Sequence, residues 1–264
     1  MLMKLFYPLI TVAFFVSAHA AETDGISAKD LAAKLSELQQ DGSSYVRLKL
    51  DVRPAGGAPK FSLQLQIKQR RMGNSTELVY QVLWPKERAG EAVLLKWSGG
   101  QASGAVFTPP NTVKALSSSE MKNSLFGSAL SYSDVLDNFF SWEDQKIVGS
   151  EMVGKVSCQV LESRVGKGGS MVRSWIDTRR LVPMKVEKCN SSGAAIRRIE
   201  TTQVVSDDLD RNIPANLSIQ DLKNGTTTEL DGSKLKHGVK YADSEFTAEG
   251  LINRAVPLAS GLVK

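Results

Sequence analysis

Histidine and cysteine are scarce in this sequence of 264 residues, which contains two of each. One histidine, His19, falls in an N-terminal segment with the features of a removable leader, so His237 alone remains for chemistry. A zinc site built from several histidines is thereby excluded, and a Ser-His-Asp triad would have to use His237. No G-x-S-x-G motif accompanies it. We interpret His237 as a surface residue at a strand end or turn, and we predict neither a catalytic residue nor a metal site.

Neighbouring carboxylates do not change this prediction. Glu143 lies beside Asp144, and Asp207 lies beside Asp208. Adjacent residues in a strand point to opposite faces, so neither pair converges as the two acids of a glycosidase must. We interpret both pairs as solvated charge, and the sequence does not predict an enzyme.

Nucleotide-binding and metal-binding loops are also missing. The sequence has no G-x-G-x-x-G fingerprint, no C-x-x-C pair and no acidic calcium loop. Gly149, Gly154 and Lys155 match the start of a phosphate-binding loop, but Val156 stands where Ser or Thr would hold magnesium, and a strand pattern follows. We interpret this stretch as a glycine-bounded hairpin turn and predict no cofactor. The formal net charge of +5 is spread along the chain, which is not typical of nucleic-acid binding.

The N-terminus lacks an apolar run long enough to span a membrane. Leu5 to Val16 is apolar, whereas a spanning helix needs about 20 such residues. Lys4 precedes this run, and the small-x-small sequence Ala18-His19-Ala20 follows it. These features predict a signal peptide over residues 1–20, cleaved between Ala20 and Ala21. Because no cysteine follows the run, we expect an unlipidated, soluble protein of the bacterial periplasm with peripheral membrane contact at most.

The two cysteines, Cys158 and Cys189, could form a disulfide in that compartment. The predicted strands place them two strands apart, near opposite ends and on different faces of the sheet. A disulfide needs Cα atoms within about 7 Å of each other. The pattern therefore disfavours a bridge without excluding it.

Secondary-structure signals predict one helix followed by a mainly β domain over residues 21–256. Ser27 caps a helix to Gln40 whose apolar stripe should lie across a sheet. Alternation with period two then predicts strands over Tyr45–Leu50, Phe61–Lys68, Thr76–Trp84, Glu91–Trp97, Lys155–Arg164, Met171–Asp177, Val182–Cys189 and Ala194–Val205, with another entered from Gly225. Short links between them favour antiparallel hairpins.

Three further segments complete the prediction. Ala105 to Phe140 is predicted to be loop, ending in a short helix that Ser131 opens and that runs to Phe140. Phe246 to Asn253 is predicted to close the domain as a helix, and the tail from Pro257 to Lys264 is expected to fray.

An apolar face over three consecutive strands is the most informative feature. Its members, which we take as candidate ligand-binding residues, are Phe61, Leu63, Leu65, Ile67, Leu78, Tyr80, Val82, Trp84, Val93, Leu95 and Trp97. Residues predicted to form a lid over it are Leu31, Leu35, Leu38, Tyr132, Phe139 and Phe140. The face is either a closed core or the wall of a cavity that takes an acyl chain, and periodicity alone does not choose between them.

The stretch from Leu125 to Val205 resembles the outer membrane lipoprotein-sorting proteins, relatives of the periplasmic lipoprotein carrier LolA. The run Leu125–Val135 is similar to the family's Gly-Ser-x-Phe-Ser-Tyr-x-Asp, and Ser174–Asp177 contains its Trp-Ile-Asp. Ala129 stands where the family usually has Phe, and Ser133 where an acidic residue is common. Other matching positions are Gly154, Cys158, Leu161, Val182–Glu187, Gly193, Gly225–Thr228, Phe246 and Leu251.

The resemblance implies a curved, half-open antiparallel β-barrel covered by helices, with an apolar cavity between them. Its members suggest carriage of lipid or of lipoprotein acyl chains toward the outer membrane, without a metal, a nucleotide or a catalytic residue. We expect a monomeric carrier or acceptor whose partner is a lipid or a lipidated protein. The alternative is a non-catalytic accessory or regulatory module of an efflux-type exporter in the inner membrane.

Overall fold

The computed structural model describes residues 26–39, 42–73, 75–166 and 168–254. The predicted signal peptide with its Ala20–Ala21 cleavage site and the predicted tail over 257–264 lie outside the described residues. Two α-helices are described, α1 (Ala28–Gln39) and α2 (Ala248–Arg254). Within the described ranges, neither helix has the length and apolar character that a membrane span requires.

Thirteen strands form most of the described structure. They are β1 (Ser43–Arg53), β2 (Phe61–Met72), β3 (Ser75–Trp84), β4 (Ala92–Ser98), β5 (Gln101–Thr108), β6 (Thr112–Ala115), β7 (Asp144–Val153), β8 (Val156–Arg164), β9 (Met171–Asp177), β10 (Val182–Cys189), β11 (Ala195–Ser206), β12 (Asn212–Asp221) and β13 (Thr227–His237). The predicted mainly β class is therefore confirmed.

All thirteen strands belong to one antiparallel sheet, in the order β6-β5-β4-β3-β2-β1-β13-β12-β11-β10-β9-β8-β7. From β1 to β6 the chain adds hairpins outward to one edge. It then passes through residues 116–143, which we call the crossover segment, to the opposite edge at β7. From there it returns inward until β13 pairs with β1, with Leu50 opposite Leu230. Because β6 and β7 do not pair with each other, the described sheet is open and not a closed barrel.

Several strands depart from the sequence prediction. The loop predicted from Ala105 contains half of β5 and all of β6, and β7 and β12 were not predicted as strands. β7 and β6 are edge strands whose side chains are mostly exposed on both faces, so they show no apolar alternation. In β12, Pro214 and two asparagines break the pattern.

The short helix predicted from Ser131 to Phe140 is wrong. Turns occupy most of this stretch, and a 3-10 turn covers Phe139–Ser141. Leu136 packs in an apolar cluster with β1 to β4, whereas Phe140 packs in a second cluster with α1 and Leu161 of β8. An α-helix rises only about 1.5 Å per residue. A more extended path lets these few residues reach both clusters.

Local signals elsewhere were interpreted correctly. The Ser27 hydroxyl accepts a hydrogen bond from the Asp30 amide at 3.1 Å and donates one to its carboxylate at 2.7 Å, which caps α1. Gly154 and Lys155 make the two-residue turn of the β7–β8 hairpin, where Val153 pairs with Val156. The predicted closing helix corresponds to α2, although Phe246 belongs to the preceding 3-10 turn.

The two helices pack on different parts of the sheet. Leu31 and Leu35 of α1 lie in a cluster with Leu161 and Ile176, near the β7 edge. Phe246 and Leu251, at the other end of the chain, pack on Val79, Ala92, Leu94 and Phe107. Val79 alternates with Leu78 along β3, so α2 lies on the face of the sheet opposite the predicted apolar face.

The cysteines do not form a disulfide, which is the outcome that the sequence pattern favoured, but their predicted placement on different faces of the sheet is wrong. Val160, two residues after Cys158, lies opposite Trp175, and Met171, four residues before Trp175, lies opposite Cys189, so both cysteines are on the same face. Both are free and buried. Gln159, next to Cys158, pairs with Ile176 of β9, whereas Cys189 pairs with Met171 of the same strand. Five residues of strand separate these positions, a distance of roughly 17 Å.

We expect the purified protein to contain two free thiols. Denaturation in the presence of an alkylating reagent, without any reductant, should add two labels to the intact mass. A mass with no label, which acquires two labels only after reduction, would contradict the register of β8, β9 and β10.

Candidate functional site

The predicted apolar face exists as a surface of three paired strands. Ile67 of β2 lies opposite Tyr80 of β3, which lies opposite Val93 of β4. Nine of the eleven predicted residues join one cluster, in which Phe61, Ile67 and Tyr80 are partly buried and Leu63, Leu65, Leu78, Val82, Val93 and Leu95 are buried. The other two, Trp84 and Trp97, are 51% and 37% exposed.

The crossover segment packs directly onto this face. Met121, Leu125, Phe126, Tyr132 and Leu136 belong to the same cluster and are each at most 9% exposed. Near the middle of the segment, the Ala129 amide donates a hydrogen bond of 2.9 Å to the buried hydroxyl of Thr228 on β13. In this conformation the face is a packed core, and the role of its residues in ligand binding stays a prediction.

A cavity of about 370 Å³ lies between α1, the crossover segment and the sheet. Most of the strand residues that line it come from β10 to β13. Ten of its seventeen lining residues are apolar, namely Leu38, Val135, Phe139, Phe140, Pro183, Val186, Ile199, Pro214, Leu217 and Leu235. Its volume falls within the range of about 300–1,000 Å³ that is usual for small-molecule sites. The cavity is therefore our candidate functional site.

Three of the six predicted lid residues line this cavity, whereas its wall on β10 to β13 was not predicted as a site. Leu38, Phe139 and Phe140, predicted as lid residues, line it. The other three do not, because Leu31 and Leu35 are buried in the α1 cluster and Tyr132 is buried in the larger cluster. The wall residues on β10 and β11, Val186 and Ile199, pair with each other on correctly predicted strands. The apolar residues that these two strands place on one face could have indicated the cavity wall from the sequence, whereas β12 has no apolar alternation that could have done so.

Charged residues hold the crossover segment on the sheet beside the cavity. We call Asp134, Asp137, Lys188, Arg197 and Asp221 the Asp134 cluster. The Lys188 ammonium lies 2.7 Å from the Asp134 carboxylate and 2.5 Å from that of Asp137. Arg197 also pairs with Asp134 and lies 2.8 Å from Asp221. The segment is thus tied to β10 and β11 by ion pairs.

These ion pairs keep Asp134 and Lys188 charged at neutral pH. The Asp134 side chain is only 5% exposed, and burial by itself raises the pKa of its carboxyl. Lys188 and Arg197 outweigh that effect and hold this pKa below its ordinary value. For Lys188, burial acts to lower the pKa, but Asp134 and Asp137 raise it above the ordinary lysine value.

A second charged group lies at another margin of the cavity, which His237 lines. The His237 ring contacts Asp208 through Nδ1 and lies 2.7 Å from the Arg211 guanidinium through Nε2. The Asp207 side chain is fully buried, so the interpretation of this carboxylate as solvated charge was wrong. The interpretation of His237 as a surface residue was also wrong, because its side chain is largely buried. Ligand atoms of Asp207, Asp208 and His237 lie within 4.8 Å of one another, a spacing that a metal ion could use. Arg211 already supplies positive charge there, 2.9 Å from Asp207, which argues against an ion.

Three solved structures share this fold. A DUF1329 family protein from Desulfovibrio piger aligns over 85% of this chain and 97% of its own, with a TM-score of 0.76 and 19% identity. A domain assigned to outer membrane lipoprotein sorting from Vibrio parahaemolyticus covers 85% and 98%, with a TM-score of 0.75 and 18% identity. A LolA superfamily protein from Nitrosomonas europaea covers 84% and 98%, with a TM-score of 0.66 and 21% identity. The resemblance stated from the sequence is thus confirmed.

Sequence comparison adds one family. A family model described as "-like: Uncharacterized protein" matches residues 74–253, which is more than half of the chain. A search of curated proteins gives no match.

We expect Asp134→Asn to reduce the free energy of unfolding at pH 7 by roughly 3 kcal/mol, since removing one partner of a buried ion pair leaves the other uncompensated. The value belongs at the low end of the usual range because Lys188 and Arg197 each keep another partner. Urea denaturation measures the effect, and Asp144→Asn, at an exposed position of β7, is the matched control.

The difference between wild type and Asp134→Asn should depend on pH. Because the folded pKa of Asp134 is lowered, its stabilisation is present above the unfolded pKa of about 3.9 and is lost as the pH falls through the folded value. The two proteins should therefore converge in stability below about pH 4. An undiminished difference in that range, or an equal loss in Asp144→Asn, would contradict the role of the Asp134 cluster.

Proposed function

We propose that this chain, which belongs to the family whose model matches residues 74–253, is a non-catalytic carrier or acceptor in the bacterial periplasm. It binds a lipid, or the acyl chains of a lipoprotein, in an apolar cavity and moves this cargo toward the outer membrane. The cavity between α1, the crossover segment and β10 to β13 is the observation that carries the proposal. The names of two similar structures, which refer to lipoprotein sorting and to the LolA superfamily, support it.

The physical basis of binding is the burial of acyl methylene groups. Each buried CH₂ contributes about 0.8 kcal/mol, so a 16-carbon chain offers roughly 12 kcal/mol of gross transfer free energy from water. A chain that leaves a membrane is already buried, so its net transfer into the cavity is near neutral. Such a balance suits a carrier, because cargo can be loaded and released without a chemical energy source.

Cargo larger than the present cavity requires movement of the lid, which we take to be α1 and the crossover segment over a half-open barrel. The crossover segment is held on the sheet mainly by side-chain packing, the Asp134 cluster and the bond from Ala129 to Thr228. Its displacement would uncover Leu63, Leu65 and the other residues of the predicted apolar face. In this proposal the crossover segment occupies part of the cargo site until cargo displaces it.

The alternative is an accessory or regulatory module of an envelope exporter. The dense packing of the predicted face under the crossover segment favours it, because a module that acts through its outer surface needs only a closed core. Exposed apolar side chains on the edge strand β7, Val148 and Met152, would then be available to a partner protein. The two functions differ in whether the cavity binds a ligand.

Leu217→Glu tests the cavity as the binding site. Leu217 lines the cavity and is only partly buried, so glutamate there should leave the fold intact while placing a charge against an acyl chain. We expect the affinity for an anthroyloxy-labelled fatty acid, measured by fluorescence titration, to fall at least about tenfold.

Leu222→Glu is the matched control, because Leu222 is 41% exposed and does not line the cavity. It should bind as wild type does. Leu65→Glu, at a position that is 1% exposed, is expected to unfold the protein. It shows the result that a charge produces in the core, with which Leu217→Glu can be compared. Wild-type affinity in a folded Leu217→Glu, or no binding by the wild type, would exclude carriage through this cavity.

A further inference from the structure

Arg71 places a positive charge at the end of the apolar face. Side chains of β2 alternate between the two faces, so Gln69 and Arg71 continue the row of Phe61, Leu63, Leu65 and Ile67. Arg71 lies opposite Thr76 of β3, which lies opposite Trp97 of β4. The apolar face therefore ends in a cation.

This cation has no carboxylate partner among the described residues. The Arg71 Nε atom is buried and makes no hydrogen bond. Burial lowers the pKa of its guanidinium, and the opposing influence comes from the phenol of Tyr80. The preceding residue, Arg70, points to the other face and is held by Glu77 and Asp243 at 2.5 Å each. Of these two neighbouring arginines, one is saturated with carboxylates and the other is unpaired.

Two cavities meet at Arg71. One is the apolar cavity described above. The other, of about 350 Å³, has a mixed lining that includes Thr76, Asn138, Ser141, Trp97, Leu136 and Trp142. Asn138 Oδ1 is also buried without a hydrogen-bond partner. Asp137 lines both cavities, but its carboxylate is engaged by Lys188. The arrangement is an apolar cavity and a cavity of mixed lining that share an unpaired cation.

We propose that Arg71 binds the anionic headgroup, a carboxylate or phosphate, of an amphiphile whose chain lies in the apolar cavity. This inference rests on the proposed function and specifies the ligand class. A guanidinium donates two parallel hydrogen bonds to either group, and such charge-assisted bonds are strong where water is excluded. The ligand would supply the negative charge that the sheet does not.

The test compares laurate with 1-dodecanol, the uncharged alcohol of the same chain length, in calorimetric titrations of the full-length purified protein. Wild type should bind laurate about 10- to 100-fold more tightly than the alcohol. Arg71→Gln should abolish this preference while leaving the affinity for 1-dodecanol unchanged, and Arg71→Lys should restore part of it. Arg53→Gln, at an exposed position of β1, should behave as wild type.

Thermal unfolding distinguishes this role from a structural one. Because Arg71 makes no ion pair in the described structure, Arg71→Gln should not lower the unfolding midpoint, whereas a structural arginine would.

Each other outcome overturns the inference. Equal affinity of wild type for laurate and the alcohol, or a laurate preference that persists in Arg71→Gln, would exclude Arg71 as the headgroup site while leaving carriage intact. Displacement of laurate by millimolar inorganic phosphate would assign Arg71 to free anions. Failure of both amphiphiles to bind would overturn the proposed function together with this inference.

Discussion

The path of the crossover segment is the constraint on which the rest of the structure depends. The sheet grows from β1 to one edge, and the chain must then reach the opposite edge before β7 can begin. Residues 116–143 make this connection across one face of the sheet, where their apolar side chains bury Leu63, Leu65 and Leu95. The same path leaves a cavity next to α1, on the half of the sheet formed by β10 to β13. Core and cavity are thus two results of one connection.

Charged side chains differ in their pairing between two regions of the sheet face that the crossover segment covers. At β10 and β11, Lys188 and Arg197 meet the carboxylates of the crossover segment, so charges there are paired and hold the segment in place. At the end of β2, Arg71 faces the cavities with no carboxylate bound to its guanidinium in the described structure. Removing one partner of a buried ion pair destabilises the conformation that it holds, whereas a partly buried cation such as Arg71 bears a desolvation cost that an anionic ligand can offset. We take this contrast as the signature of a binding site.

Local patterns predicted much of the fold. The Ser27 cap, the hairpin turn at Gly154 and the alternation of β2, β3 and β4 depend on neighbours in the sequence or on the next strand. The exposed edge strand β7 and the proline-containing β12 lack that alternation and were missed. The contacts of Asp134 with Lys188 and Arg197 join residues more than fifty positions apart, which no local pattern encodes. For the same reason, the sequence predicted the apolar face but not that the crossover segment fills it, nor that the cavity lies beside it.

Native mass spectrometry of the protein isolated from a periplasmic extract without detergent tests the central claim most directly. The account predicts a population carrying the mass of one amphiphile, which organic extraction releases as an acid or a phospholipid. A bare protein mass that stays unchanged after incubation with a fatty acid, a phospholipid and a triacylated lipopeptide would contradict it.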